Sequence, residues 1–300
     1  MIQFFKNLFP RKKSEALPSA KDMIQTAPLD AESEDPAAGR SPYRPAQFLV
    51  GCAQSVGIQR DHNEDTLFAM SSVLADGVND IPFGIFIIAD GMGGHQYGEI
   101  ASGVAARTMA NHLLARVYQP LTNPDLERSN DSLQELMETG VREAHQIVLR
   151  KAPGGGTTLT AALLLGEQIT IAHVGDSRAY FIYSDGRIRP LTQDHSLVQR
   201  LVELGQLTAE QAVNHPNKNV LYRVLGQTEP FRPDIENRMM PHPGYLMVCS
   251  DGLWGVLPED DLLKIVQQSS NPTEACHKLV EAANAAGGPD NISVILVQFL

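Results

Sequence analysis

From Gln47 to the last residue, apolar and polar positions alternate in short runs separated by turn residues, the pattern of half-buried strands. The runs fall at 47–56, 66–74, 83–89, 157–165, 168–174, 178–184, 187–191, 232–240, 245–250 and 291–299, rich in Val, Ile, Leu and aromatics. Between them the period changes. Over 98–118, Ala101, Ala105, Met109, Leu113 and Val117 return every four residues, which lines them along one helical face. A second helix is predicted from Ser132, which forms a capping-box pair with Glu135 and turns Leu133, Met137, Val141, Ala144 and Val148 inward. Pro258 suits a first helical position, and Asn271 with Pro272 and Glu274 reads as another helix start. Strands in runs, interrupted by pairs of helices, predict an α+β fold of stacked antiparallel sheets with helices outside. They argue against a doubly wound parallel sheet.

The first 46 residues break this pattern, holding six of the 19 prolines with scattered charge and no lasting apolar period. They read as a disordered leader to one domain over 47–300. Within it, residues 1–13 combine Ile2, Phe4, Phe5, Leu8 and Phe9 with Lys6, Arg11, Lys12 and Lys13. That is a short amphipathic segment suited to weak docking on a membrane surface or a partner, or else a frayed terminus. The basic residues follow the apolar ones, so it makes a poor secretory signal.

Composition narrows the chemistry. The chain has 300 residues, 24 basic against 35 acidic, for a net charge of −11. So acidic a surface repels phosphate backbones, and nucleic acid is not an expected partner. The three cysteines, Cys52, Cys249 and Cys276, are odd in number and far apart, supporting neither a disulfide framework nor a zinc ribbon. A reducing, cytoplasmic setting is expected. Apolar runs reach only about 8–10 residues, well short of the ~20 a membrane-spanning helix needs.

Asp-Gly pairs carry the first chemical signal. Asp76-Gly77 in a polar loop and Asp185-Gly186 between two strands read as ordinary turns. Asp90-Gly91 instead ends the apolar run Phe83–Ala89, and Asp251-Gly252 follows the run from Tyr245. Asp176 follows another strand and Asp290 precedes the last one. Apolar strands thus deliver four carboxylates to sheet ends. Should those ends converge, each like-charged pair at ~4 Å costs about 4 kcal/mol at an effective dielectric near 20. Few lysines or arginines lie nearby in sequence to offset this. Bound metal is the economical resolution, and with carboxylate and carbonyl donors it would be a hard ion, Mg2+ or Mn2+. The charged run Arg60–Asp65 adds a planar fork for phosphate oxygens at Arg60 and further carboxylates at Glu64 and Asp65, although such runs also form plain solvated turns. Gly154–Thr158 offers a weak phosphate cradle, since it lacks the P-loop lysine and precedes a strand.

Six segments in order carry a resemblance: Arg60-x-x-Asn63-Glu64-Asp65, Ala89-Asp90-Gly91-Met92-Gly93-Gly94-His95, Gly156-Thr157-Thr158, Val174-Gly175-Asp176-Ser177-Arg178, Ser250-Asp251-Gly252 and Asp290-Asn291. Together they resemble the metal-dependent protein serine/threonine phosphatases of the PP2C (PPM) family, bacterial branch, over nearly all of residues 47–300. The segment at about 195–226 resembles the family's flap beside the active site.

The resemblance implies a four-layer αββα architecture, a central antiparallel β-sandwich flanked by paired helices, with a binuclear metal centre at one end. Asp90 would bridge the two ions and the Gly91 carbonyl would ligate one. Asp251 and Asp290 would hold the other, with Glu64 and Asp65 ligating directly or through water. Asp176 with Asp251 matches the pair for a third, weaker metal, and Arg60 matches the phosphate-binding arginine. The reaction implied is displacement at phosphorus by a metal-activated water, without a phosphoenzyme, on phosphoserine and phosphothreonine of proteins modified by a serine/threonine kinase. Cys249 would lie beside the site without attacking. Met92 stands where eukaryotic members carry histidine, so His95, His62 or a metal-bound water is the candidate acid. Two other readings share these residues: a metal-binding pseudophosphatase that recognises phosphoproteins without turnover, and a hydrolase of small phosphoesters.

Overall fold

The computed structural model describes residues 48–300 apart from 76–79, 94–95, 128, 214 and 228–230. The leader 1–46, the segment 1–13, Asp76-Gly77 and His95 therefore lie outside the described residues.

Two sheets make the centre. One has the order β1 (Phe48–Ser55), β11 (Ile292–Phe299), β10 (Gly244–Cys249), β7 (Arg178–Tyr183), β8 (Ile188–Pro190). The other runs β2 (Asp65–Ala75), β3 (Asp80–Met92), β5 (Leu159–Leu165), β6 (Gln168–Val174), β9 (Asp234–Met239), with the two-residue β4 (Gly156–Thr157) on the end of β3. Every pairing between these strands is antiparallel.

Strand alternation separates the layers. Ile295, Val297 and Phe299 of β11 point between the sheets with Leu246, Val248 and Phe181, meeting Phe86, Ile88, Leu164 and Ile171 of the other sheet. Their neighbours Ile292, Val294 and Leu296 point the opposite way with Met247, Cys249 and Tyr180. There they meet Leu262 and Val266 of α6 (Glu259–Gln267) and Cys276, Leu279 and Ala283 of α7 (Pro272–Ala285). Each large side chain so buried contributes about 1.5–3 kcal/mol. On the far side α1 (Gln96–Leu113) lies on β3 and packs against α2 (Leu133–Lys151). The result is the four-layer αββα arrangement of an α+β fold.

The helix signals mostly have the predicted geometry. Ala101, Ala105, Met109, Leu113 and Val117 are all buried, although α1 gives way to a π turn at Leu114–Tyr118. Ser132 and Glu135 form a reciprocal capping box, and the Asn271 side chain accepts from the Glu274 amide. Pro258 is a correction: its extended ψ of 154° makes it the N-cap of α6, and the helix begins at Glu259. Within 195–226 lie α3 (Leu197–Glu203) and α4 (Ala209–Val213), tied to the body by the Thr157–Leu225 bridge.

Candidate active site

Antiparallel register brings the predicted strand ends to one place. Asp65 opens β2 directly opposite Asp90 near the end of β3. Cys249 ends β10 beside Val294 at the start of β11, so Ser250-Asp251 and Asp290-Asn291 leave the same edge of the sandwich. Asp176 follows β6 on the opposing sheet. Five acidic residues separated by up to 225 positions thus share the end of one fold.

Their supports are mostly backbone and hydroxyl groups. The Asp90 amide donates to Thr158 Oγ1 at 2.9 Å, while the Thr158 amide and the Thr157 hydroxyl both donate to the Asp90 carbonyl at 2.9 Å. Thr157 and Thr158, at the end of the Gly154–Thr158 stretch read in sequence as a weak phosphate cradle, therefore clamp the strand that carries Asp90. Asp65 Oδ2 accepts from the hydroxyls of Ser250 at 2.8 Å and Ser293 at 2.6 Å. Asn291 works as a hub: its side-chain oxygen accepts from the Glu64 amide, and its nitrogen donates to the carbonyls of Val56 and His62. The Gly91 amide donates to the Glu64 carbonyl at 3.2 Å.

The carboxylates themselves are poorly compensated. Asp65 Oδ1 and Asp251 Oδ1 are buried and have no hydrogen-bond partner. Burial, reinforced by the charges of Asp251 and Asp290, pushes the Asp65 carboxyl up to about 7 despite its serine donors. Burial and then Asp290 push Asp251 up to about 6. Asp90 lies well above the usual carboxylate range, first from burial and then from Asp65, Asp251, Asp176 and Asp290. Asp176 is raised by burial and by Asp251. The nearby cation is Arg60, whose Nη2 donates to Asp290 Oδ2 at 2.6 Å. Glu64 Oε1 lies 2.9 Å from His62 Nε2.

This donor set fits hard divalent cations. Among the described residues no three His, Cys, Asp or Glu side chains are gathered tightly enough to make a coordination sphere on their own. Mg2+ does not require one, since it is commonly held by one or two carboxylates and keeps several waters. A cation there would offset the mutual repulsion of these carboxylates.

Four features escaped sequence reasoning. A Cβ on Gly98 would lie 2.3 Å from Glu64 Oε2, so the bare backbone of α1 makes room for that carboxylate. Arg178 grips Asp194 through two bonds of 2.9 and 2.8 Å, and its guanidinium lies 3.5 Å over the Trp254 ring. Trp254 in turn donates from Nε1 to the Asp176 carbonyl at 3.0 Å. His195 accepts from the Gly175 amide through Nδ1 and meets Asp234 and Arg223 on Nε2, tying the start of the 195–226 segment to the residue before Asp176. Only the arginine directly after Asp176-Ser177 was conspicuous in sequence; its partners are distant.

Cys249 is fully buried among the helix-facing residues, where burial pushes its thiol up to about 12. It is no nucleophile at neutral pH.

Comparison with known proteins identifies the family. The family model described as Protein phosphatase 2C matches residues 61–285, more than half of the chain. The chain belongs to the protein phosphatase 2C family. It is 34% identical over 245 residues to the serine/threonine phosphatase stp of Listeria innocua, covering 80% of this chain and 91% of that one. The S. agalactiae serine/threonine phosphatase superposes with a TM-score of 0.71 at 30% identity, over 85% of this chain and 100% of its own. The catalytic domain of PstP, solved in complex with two manganese ions, gives 0.68 at 28% identity, over 85% of this chain and 100% of its own. Among the described residues, no helix is long and apolar enough to cross a membrane.

Proposed function

We propose that this protein phosphatase 2C member hydrolyses phosphoserine and phosphothreonine in proteins, with two Mn2+ or Mg2+ ions at the carboxylate end and a third, weaker one by Asp176. The observation that carries the reading is the convergence of Asp65, Asp90, Asp176, Asp251 and Asp290 at one sandwich end with two buried carboxylate oxygens left unpaired. The relatives named as serine/threonine phosphatases, and the manganese in PstP, support it.

Asp90 would ligate both ions and the Gly91 carbonyl one of them, Asp251 and Asp290 would hold the other, and Glu64 and Asp65 would complete the shell directly or through water. When bound, the ions supply a water of lowered pKa as nucleophile and offset the charge of the phosphate dianion. The chain's residues do the rest. Thr157 and Thr158 fix the backbone of Asp90. Arg60, half-exposed at the edge of the group and anchored through Asp290, presents its remaining donors to phosphate oxygens. Cys249, buried and protonated, is not placed to form a phosphoenzyme, and displacement by water would be direct. His95 remains the proposed proton donor to the leaving oxygen, with His62, beside Glu64, as its alternate.

The test is phosphate release from a phosphothreonine peptide with Mn2+, with excess chelator, and in Asp251→Asn. Release is expected only in the first condition. Turnover that survives both chelator and substitution overturns the metal mechanism, and no turnover under any condition favours a phosphoprotein-binding pseudophosphatase.

A further inference from the structure

Beside the carboxylates, a cavity of about 420 Å³ opens between α3 and α4 on one side and the turn from α5 (Asp251–Trp254) into α6 on the other. Val198, Val202, Ala212 and Val213 form one wall, and Trp254 and Leu257 the facing one. Asp176 and Asp251 line the same space, so it is continuous with the catalytic end.

Its walls are preformed. Trp254 is held from the edge by its bond to the Asp176 carbonyl and from one face by Arg178, itself locked on Asp194. That pairing neutralises the buried guanidinium. Of the other charges on the lining, Asp176 and Asp251 lie at the catalytic end, and Lys218 and Glu259 are exposed and opposite in sign. Val213 is nevertheless 66% exposed on this wall. The volume and the mostly apolar lining with a few fixed polar groups are those of a ligand pocket.

We propose that this cavity receives an apolar side chain of the phosphoprotein substrate, within a few residues of the phosphorylated serine or threonine. The inference rests on the phosphatase reading and names what that site selects. The occupant follows from continuity: a segment whose phosphate lies among Asp90, Asp251 and Arg60 advances at most ~3.6 Å per residue, so its immediate neighbours are the groups within reach of a space that Asp176 and Asp251 also border. An apolar side chain gains by leaving water against Val198, Val202, Trp254 and Leu257, while a charged one would give up hydration on those apolar walls.

Trp254 is the chain's single tryptophan, so its emission reports filling of the cavity independently of turnover. The full-length protein with Mg2+ is titrated with non-hydrolysable phosphonate peptides that differ only in a Leu, Ala or Lys beside the phosphothreonine analogue. The corresponding phosphopeptides and a small aryl phosphate are assayed for hydrolysis. The leucine peptide is expected to shift Trp254 emission and to bind and turn over about tenfold better than the others. Ala212→Phe, which fills the cavity, and Val213→Asp, at an exposed position, are expected to erase that preference while aryl phosphate hydrolysis stays within twofold. Equal affinity for the three peptides, preference for the lysine peptide, or a leucine preference that survives both variants overturns the proposal. A wild-type protein that hydrolyses neither substrate refutes the phosphatase reading instead, and the emission titration still decides the pocket.

Discussion

Two groups of charge lie within residues 48–300, and they are built on opposite rules. Around Arg178 and His195 each charge has a counterpart: Arg178 with Asp194, and Arg223 with Asp234, which also meets His195. At the sandwich end, Asp65, Asp90, Asp176 and Asp251 face one another, and two of their oxygens bind nothing. Paired charge holds elements in register, here the 195–226 segment against the body. Uncompensated charge is a standing cost that folding alone would not retain, which marks it as the working part.

The largest effect should come from neutralising the uncompensated group. Asp90→Asn is expected to lower kcat on a phosphothreonine peptide by about three orders of magnitude, the upper scale for loss of one preorganised electrostatic group. In chelator the same variant should be more heat-stable than wild type, because a buried, repelled carboxylate is gone. Steady-state rates and thermal denaturation check both halves; an inactive variant that is also less stable in chelator would mean that Asp90 holds the fold together.

The paired group should respond in the reverse sense. Arg178→Met leaves Asp194, whose side chain is 10% exposed, without a partner, and should destabilise the protein by about 3 kcal/mol in denaturant melts. Adding Asp194→Leu should recover most of that loss. Aryl phosphate hydrolysis by the folded single variant should remain within a few fold. A double variant as unstable as the single one would show that the packing of Arg178 on Trp254, rather than charge pairing, is what matters there.

The two groups also differ in how far they were legible before the structure. Strand positions such as Ile292, Val294 and Leu296 against Ile295, Val297 and Phe299 are visible because the period of two is local, and the Ser132 cap because its partner lies three residues on. The acidic end was readable for a related reason: each carboxylate sits directly after or before an apolar run, so the strand carries it to an edge. What local pattern does not contain is reach across the fold. Nothing near Gly98 announces that a glutamate 34 positions earlier needs its missing side chain. Gly154–Thr158 suggested phosphate because glycine and threonine hydroxyls suit it, yet the hydroxyls of Thr157 and Thr158 turn to the Asp90 backbone. Trp254, Asp194 and His195 gain their roles through partners 16 to 78 residues away.

Acidification should separate the groups by sign. Asp65 and Asp251, raised to about 7 and about 6 from an unfolded value near 3.9, bind more protons folded than unfolded between those limits. Their contribution to stability is full below about pH 4 and is lost as pH rises through 6 to 7. His173, lowered to about 3 by burial and then by His195, behaves oppositely: stability is lost as pH falls from about 6.5 towards 3, because the unfolded chain protonates first. In chelator the thermal midpoint should therefore rise by several degrees from pH 8 towards 4, because the two carboxylates outweigh the single histidine, and fall only below that. Saturating Mg2+ should flatten the upper limb, since the ion competes with those protons. A midpoint in chelator that climbs from pH 6 to 8 would contradict the charge imbalance at the sandwich end.

The smallest effect is expected at a residue that adjoins the acidic end in sequence but belongs to the core. Cys249 precedes Ser250-Asp251, yet its side chain lies with Met247, Leu279 and Val294 under α7. A thiol pushed up to about 12 stays protonated through the working range. Cys249→Ala should cost roughly 1 kcal/mol of stability through the small cavity left behind and change kcat less than twofold. Iodoacetamide should leave folded wild-type activity intact, because burial protects the thiol from alkylation. Rapid inactivation that is abolished by Cys249→Ala would move this residue from the packed layer into the chemistry, and the division between compensated structure and uncompensated site would have to be redrawn around β10.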